Sequence, residues 1–224
     1  MNFKGCHFPK DVILQGIRWY TAYPLSYRRV EELMEERGVS LDHATVNRWV
    51  VKYSPVLETK FRQIKKPIGK SWRMDETYIK VKGQWVYYYR AVDKENQTID
   101  FFLSPTRNTQ AAQAFFEKAI GSSGKPEKVN MDKSGANLAG LEQINQGLPE
   151  NQHIGIRQIK YLNNLIEQDH RGIKRIVKPM LGFKNFFSAA ATLAGIELYY
   201  MLRKGQSLLG KTVSAWEQFY ALAA

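Results

Sequence analysis

The chain is short of cysteine, of paired histidines and of long apolar runs, and each shortage removes a class of function. Cys6 is the one cysteine in 224 residues, so neither a disulfide framework nor a multi-cysteine zinc site can form. Such usage fits a reducing cytoplasm. The four histidines, His7, His43, His153 and His170, form no close pair, which disfavours a His-x-His nickase. A tyrosine or serine recombinase would need a nucleophile among clustered arginines, and none here has a convincing setting. The opening residues Met1 to His7 lack the apolar core of a signal peptide. The most apolar stretch, Phe186 to Leu202, contains Glu197 and is flanked by Lys184 and Arg203. It falls short of a membrane span and reads as a packed helix, so no membrane partner is expected. Internal repeats and low-complexity segments are absent.

Positive charge is what the chain has in excess. The net charge is +12, the footprint of a nucleic-acid binder. Residues 1–70 carry 13 Lys and Arg against 7 Asp and Glu, and residues 71–224 carry 20 against 14. Both parts can therefore face a phosphate backbone. An apolar fraction of 44% permits a buried core, and the length fits one medium domain plus a small one.

Residues 1–53 read as a small helical domain. Pro9-Lys10-Asp11 opens a first helix, which Pro24 breaks. Leu25 to Arg37 forms a second, with Val30, Leu33 and Met34 at core spacing, and Gly38 stops it. His43 to Val50 is a third, with Val46, Trp49 and Val50 inward. Two helices around a short glycine turn form a helix-turn-helix signature. The third helix would enter the major groove, with His43, Thr45, Asn47 and Arg48 as candidate DNA contacts. Residues 54–70, holding Pro55, Pro67 and five cations, read as a basic linker.

Residues 71–224 change period. Trp72–Val81, Trp85–Val92 and Thr98–Leu103 are rich in aromatic and β-branched residues and form an antiparallel meander. A helix over Thr109–Ile120 follows, then strands at Val129–Met131 and near His153–Gln158, an amphipathic helix over Leu162–Val177 and a long final helix. The expected class is α/β, a mixed five-stranded sheet with helices.

Three acidic residues stand out in this frame. Asp75 lies on the first strand, Asp132 follows the fourth, and Glu167 lies on the amphipathic helix. Three carboxylates in a basic chain can hold two divalent cations for phosphoryl transfer on nucleic acid. Neighbours in a strand point to opposite faces, so only one of Asp75 and Glu76 can face such a site. At about 100° per residue, Leu162, Leu165, Ile166, Ile173, Ile176 and Val177 share one sector of the helix. Glu167, Arg171, Lys174 and Lys178 fall opposite, so a carboxylate shares its face with three candidate DNA-binding cations. Asp169 lies inside the apolar sector and is expected buried and paired. His170, on the flank, reads as a hydrogen-bonding or DNA-facing residue rather than a metal ligand.

Longer segments resemble a known family. Asp75-Glu76-Thr77-Tyr78-Ile79-Lys80-Val81-Lys82-Gly83 is similar to the first motif of the Asp-Asp-Glu transposases of bacterial insertion sequences, and within them the insertion-sequence six family. Asn164-Leu165-Ile166-Glu167-Gln168-Asp169-His170-Arg171-Gly172-Ile173-Lys174-Arg175 resembles the third. Pro179-Met180-Leu181-Gly182-Phe183-Lys184, followed by Ser188-Ala189-Ala190, resembles the tail. Met131-Asp132-Lys133-Ser134-Gly135-Ala136-Asn137 is the least distinctive, as the second motif. The resemblance implies a ribonuclease-H-like catalytic core over residues 71–224, with Asp75, Asp132 and Glu167 as catalytic metal ligands. Between the adjacent pair it picks Asp75, which leaves Glu76 facing away as a structural hydrogen-bond acceptor. It further implies two Mg²⁺ ions, with Mn²⁺ as substitute. DNA would be the partner, as terminal inverted repeats and target, with a homodimer or larger assembly on DNA in the bacterial cytoplasm, nucleoid-associated. The implied chemistry is 3′-strand cleavage and strand transfer, with replicative cointegrates as products. A helix-turn-helix regulator without catalysis, and a ribonuclease-H-like nuclease that cuts without joining, are the competing functions.

Overall fold

The computed structural model describes residues 1 and 3–224. The chain divides into two compact units, residues 67–171 and residues 1–66 with 172–224.

The first unit is built on a five-stranded sheet. Its strands are β1 (Ser71–Val81), β2 (Gln84–Asp93), β3 (Thr98–Ser104), β4 (Lys128–Asn130) and β5 (Gly155–Arg157), in the order β3-β2-β1-β4-β5. β1, β2 and β3 form an antiparallel meander, while β4 runs parallel to β1 and β5 parallel to β4. This is the mixed sheet of the ribonuclease-H-like class. Helix α4 (Thr109–Ser123) and helix α5 (Gly135–Gln146) belong to the same unit. Ala112, Phe115, Phe116 and Leu141 from these helices join Trp72, Met74, Tyr89, Ala91, Val129 and Met131 of the sheet in one core. α4 is capped by the Asn108 side chain, which accepts from the Ala111 amide, and ends at Gly124, where φ is +80°. The helix thus runs three residues past the expected end at Ile120.

The second unit is helical. It contains α1 (Lys10–Ala22), α2 (Tyr27–Glu35), α3 (His43–Gln63), α7 (Phe186–Lys204) and α8 (Ala215–Ala221). The residues expected inward on the third helix, Val46, Trp49 and Val50, are buried. The expected linker is a correction: residues 54–63 continue α3. Pro55 removes one backbone donor, a cost of about 3 kcal/mol in a helix interior. Tyr53, Leu57 and Phe61 extend the buried stripe beyond it, and burying side chains of that size offsets such a cost. Residues 64–66 are also fixed. The Lys66 amide donates to Gln206 O at 2.7 Å and the Leu208 amide to Ile64 O at 2.8 Å.

The domain division differs from expectation in the same direction. Residues 172–224 group with the amino-terminal helices, not with the sheet. The cause is α7, which is buried along most of its length and packs on α1 and α3. Gly195 permits the close approach, since a Cβ there would lie 2.7 Å from both Ser54 Oγ and Thr21 Cγ2. The remaining helix, α6 (Lys160–Val177), carries the unit boundary between Arg171 and Gly172. No helix among the described residues is long and apolar enough to cross a membrane.

Candidate active site

Strand register explains how two of the expected carboxylates meet. Arg73 of β1 pairs with Asn130 of β4 in the parallel ladder. Asp75 and Asp132 each lie two residues further along, so they stand side by side. β4 ends at Asn130, which leaves the flank of β1 unpaired at Asp75 and Glu76. The opening is set by the short fourth strand.

Glu76 enters this opening too. Its cross-strand partner is Tyr89, in the core under α4, whereas Asp75 pairs with Arg90. The two side chains thus leave opposite faces, as alternation requires. Even so, one carboxylate oxygen from each of Asp75, Glu76 and Asp132 lies within 4.8 Å of the others. Among the described residues, Glu167 is not part of that group. Glu76 has the expected acceptor role: Arg107 Nε donates to Oε1 at 2.8 Å and Asn137 Nδ2 to Oε2 at 2.9 Å. Arg107 also places Nη2 3.6 Å from Asp132 Oδ2, so one guanidinium joins two of the three carboxylates. Burial pushes the Glu76 carboxyl above its ordinary value, reinforced by Asp132 and opposed by Asn137 and Arg107. Arg107 and Asn137 escape sequence reasoning because both contact Glu76 from segments whose placement depends on the fold: the loop after β3 and the first turns of α5.

The helix α6 meets the other face of the sheet. Asp169 is 1% exposed and Arg90 is fully buried, and Arg90 Nη2 lies 2.8 Å from Asp169 Oδ2. This is the pairing that the helical projection requires. His170 Nε2 lies 3.3 Å from Asp75 Oδ2. Because His170 is buried, it faces Asp75 in the interior and is not a DNA-facing residue. Glu167 precedes it by one turn and is exposed, as are Arg171, Lys174 and Lys178. Ile166, Ile173, Ile176 and Val177 are buried and Leu162 and Leu165 half-buried, so the apolar sector faces inward, fully from Ile166 onward.

The candidate groove-reading residues divide. Asp42 caps α3 by accepting from the Ala44 and Thr45 amides. His43 Nδ1 lies 3.0 Å from Glu31 Oε2, and Asn47 lies close enough to the Tyr27 hydroxyl to favour its ionised form. Thr45 accepts from Arg48 Nη2 at 2.6 Å. Arg48 is exposed and remains the best placed of the four to reach outward. The connection between α2 and α3 covers residues 36–42, longer than the three or four residues of a compact helix-turn-helix.

The donor set fits a divalent cation. Three carboxylates within reach of one another supply hard oxygen ligands, which Mg²⁺-like ions prefer, and Arg107 supplies positive charge where they repel. A ribonuclease-H-like sheet with carboxylates converging past its central strands is the arrangement of an enzyme that transfers phosphoryl groups on DNA. A family model described as "DDE domain" matches residues 69–206. Over 202 residues the chain is 41% identical to the transposase for insertion sequence-like element IS431mec of Staphylococcus aureus, covering 90% of this chain and 88% of that one. It is 40% identical, over the same shares, to the transposase for insertion sequence element IS257 in transposon Tn4003 of the same species. The HTLV-2 integrase catalytic core domain, solved in complex with magnesium, aligns over 70% of this chain and 99% of its own, at 18% identity and a TM-score of 0.49. The chain belongs to the Asp-Asp-Glu transposases of insertion sequences, within the insertion-sequence six family.

Proposed function

We propose that this transposase binds the terminal inverted repeats of its element, cleaves their 3′ strands and joins them to target DNA, giving replicative cointegrates. The observation that supports the catalytic part is the convergence of Asp75 and Asp132 past the end of β4. Asp75, Asp132 and Glu167 would hold two Mg²⁺ ions, or Mn²⁺ in their place, which supply activation of the attacking oxygen and stabilisation of the leaving one.

The protein's own groups do the positioning. Arg107 steadies Asp132 and Glu76 against mutual repulsion. The Arg90–Asp169 and His170–Asp75 contacts fix the rotation of α6, and with it the side from which Glu167 approaches. Arg171, Lys174 and Lys178 offer charge to the phosphate backbone. The amino-terminal helices, with Arg48 foremost, recognise the repeat, and DNA brings two or more copies together in the bacterial cytoplasm at the nucleoid.

A strand-transfer assay with a plasmid carrying the element's ends and Mg²⁺ tests this reading. Wild-type protein should join ends to target, while Asp75→Asn, Asp132→Asn and Glu167→Gln should bind ends without cutting or joining. Cut products without joints would support the nuclease. End binding with neither, unaffected by these substitutions, would support the regulator. Near-normal joining by any one variant removes that residue from the catalytic set.

A further inference from the structure

The sheet face that carries Glu76 does not end at the carboxylates. Along β1 it continues to Tyr78 and Lys80, whose cross-strand partners on β2 are Tyr87 and Trp85. The core under α4 covers this face as far as Tyr87, which is half-buried against it. Beyond that point the face is open: Tyr78 is 50% and Trp85 63% exposed. The Tyr78 ring centroid lies 5.5 Å from that of Tyr87 and 6.5 Å from that of Trp85. Lys80 and Lys82 are exposed on the same hairpin. Arg107, which joins Glu76 to Asp132, is close enough to Tyr78 for the two to interact electrostatically.

We infer that this aromatic ladder is a stacking platform for unpaired DNA bases next to the phosphate being cut. The inference rests on the transposase reading of the carboxylate site. Cross-strand aromatic pairs stabilise a hairpin, but that role does not require more than half of a tryptophan to face water. Neighbouring lysines complement a polyanion, and an apolar protein surface would leave Lys80 without an acidic counterpart. Stacking accepts any base, because every base has a π-face, as an enzyme that must handle both element ends and varied targets requires. The platform is continuous with the carboxylates, so a strand held at the cut extends onto it.

The test is equilibrium binding of the full chain, at one fixed salt concentration, to two DNAs with equal phosphate number. One is a fully paired element end and the other carries an unpaired tail at the cut side. Wild-type protein should prefer the tailed DNA by about tenfold, the effect of stacking one or two bases. Trp85→Ala and Tyr78→Ala should each reduce that preference severalfold with the melting temperature unchanged, and Trp85→Phe should retain most of it. No preference in the wild type would overturn the inference. So would an equal loss on both DNAs, or a dimer that falls apart in Trp85→Ala while the preference persists, which would make the ladder a contact between copies. Strand transfer by the wild type, measured alongside, depends on Asp75, Asp132 and Glu167. The platform can therefore fail while the transposase reading stands.

Discussion

His170 Nε2 lies 3.3 Å from Asp75 Oδ2, so the helix that carries Glu167 is tied directly to the strand that carries the first carboxylate. His170 follows Glu167 by one turn, and the contact therefore sets where along β1 that turn of α6 stands. His170→Ala should reduce strand transfer about 100-fold, the scale of a 1 Å misplacement. The stability loss should be only about 1–3 kcal/mol, the scale on which a buried polar group left without its partner destabilises a fold. His170→Gln, whose amide can reach toward Asp75 from the same place, should recover part of the activity. Full activity in the alanine variant, measured by joined product per unit time, would show that the tie is dispensable.

Helix α3 offers a separate test, of the segment expected as a linker. Leu57 is fully buried on the stripe that continues past Pro55. Leu57→Ala should cost about 2–5 kcal/mol and lower the melting temperature clearly. A residue in a solvated linker would change stability by less than about 0.5 kcal/mol.

These cases show where the sequence is legible. The meander strands match their expected limits within a residue or two, because β-branched and aromatic runs end at Lys82-Gly83 and at Asp93-Lys94-Glu95-Asn96. The burial of Asp169 follows from its angle on the helix alone. The continuation of α3 was available in the spacing of Val50, Tyr53, Leu57 and Phe61, but Pro55 and five cations outweigh that stripe when composition is read. Helix α8 is seven residues long, too short for periodicity to mark it. The arrival of Glu76 at the carboxylate cluster has a different cause. Alternation fixes the face a side chain leaves from, whereas the open flank that lets Glu76 reach Asp75 exists because β4 stops at Asn130, a property of pairing.

Glu76 also predicts a pH dependence. Its carboxyl, raised by burial above its ordinary value, binds a proton more readily folded than unfolded. The stability it contributes is therefore complete below about pH 4.5, its ordinary unfolded value, and is lost as pH rises through the elevated folded value. Glu76→Gln is neutral throughout, so its melting temperature relative to the wild type should rise from pH 4 toward neutrality, measured without divalent cations. A relative stability that is flat or falls over that range would mean that the Arg107 and Asn137 contacts outweigh burial.

The last prediction separates two residues five positions apart on α6. Asp169 and Arg90 form an ion pair with both side chains fully buried. Removing one partner leaves the other charge in the interior, which costs about 3–5 kcal/mol. Asp169→Ala should therefore melt far earlier than the wild type, and its loss of strand transfer should track its loss of fold. Lys174 is exposed, and a solvated lysine contributes little to folding. Lys174→Ala should melt with the wild type, weaken binding of the element end, and flatten the salt dependence of binding by about one phosphate contact. Thermal melts and salt titrations on both variants decide the matter. An early-melting Lys174→Ala beside a stable but inactive Asp169→Ala would mean that α6 is rotated about its axis. Glu167 would then lie in the buried sector, and its role as a metal ligand would fall with it.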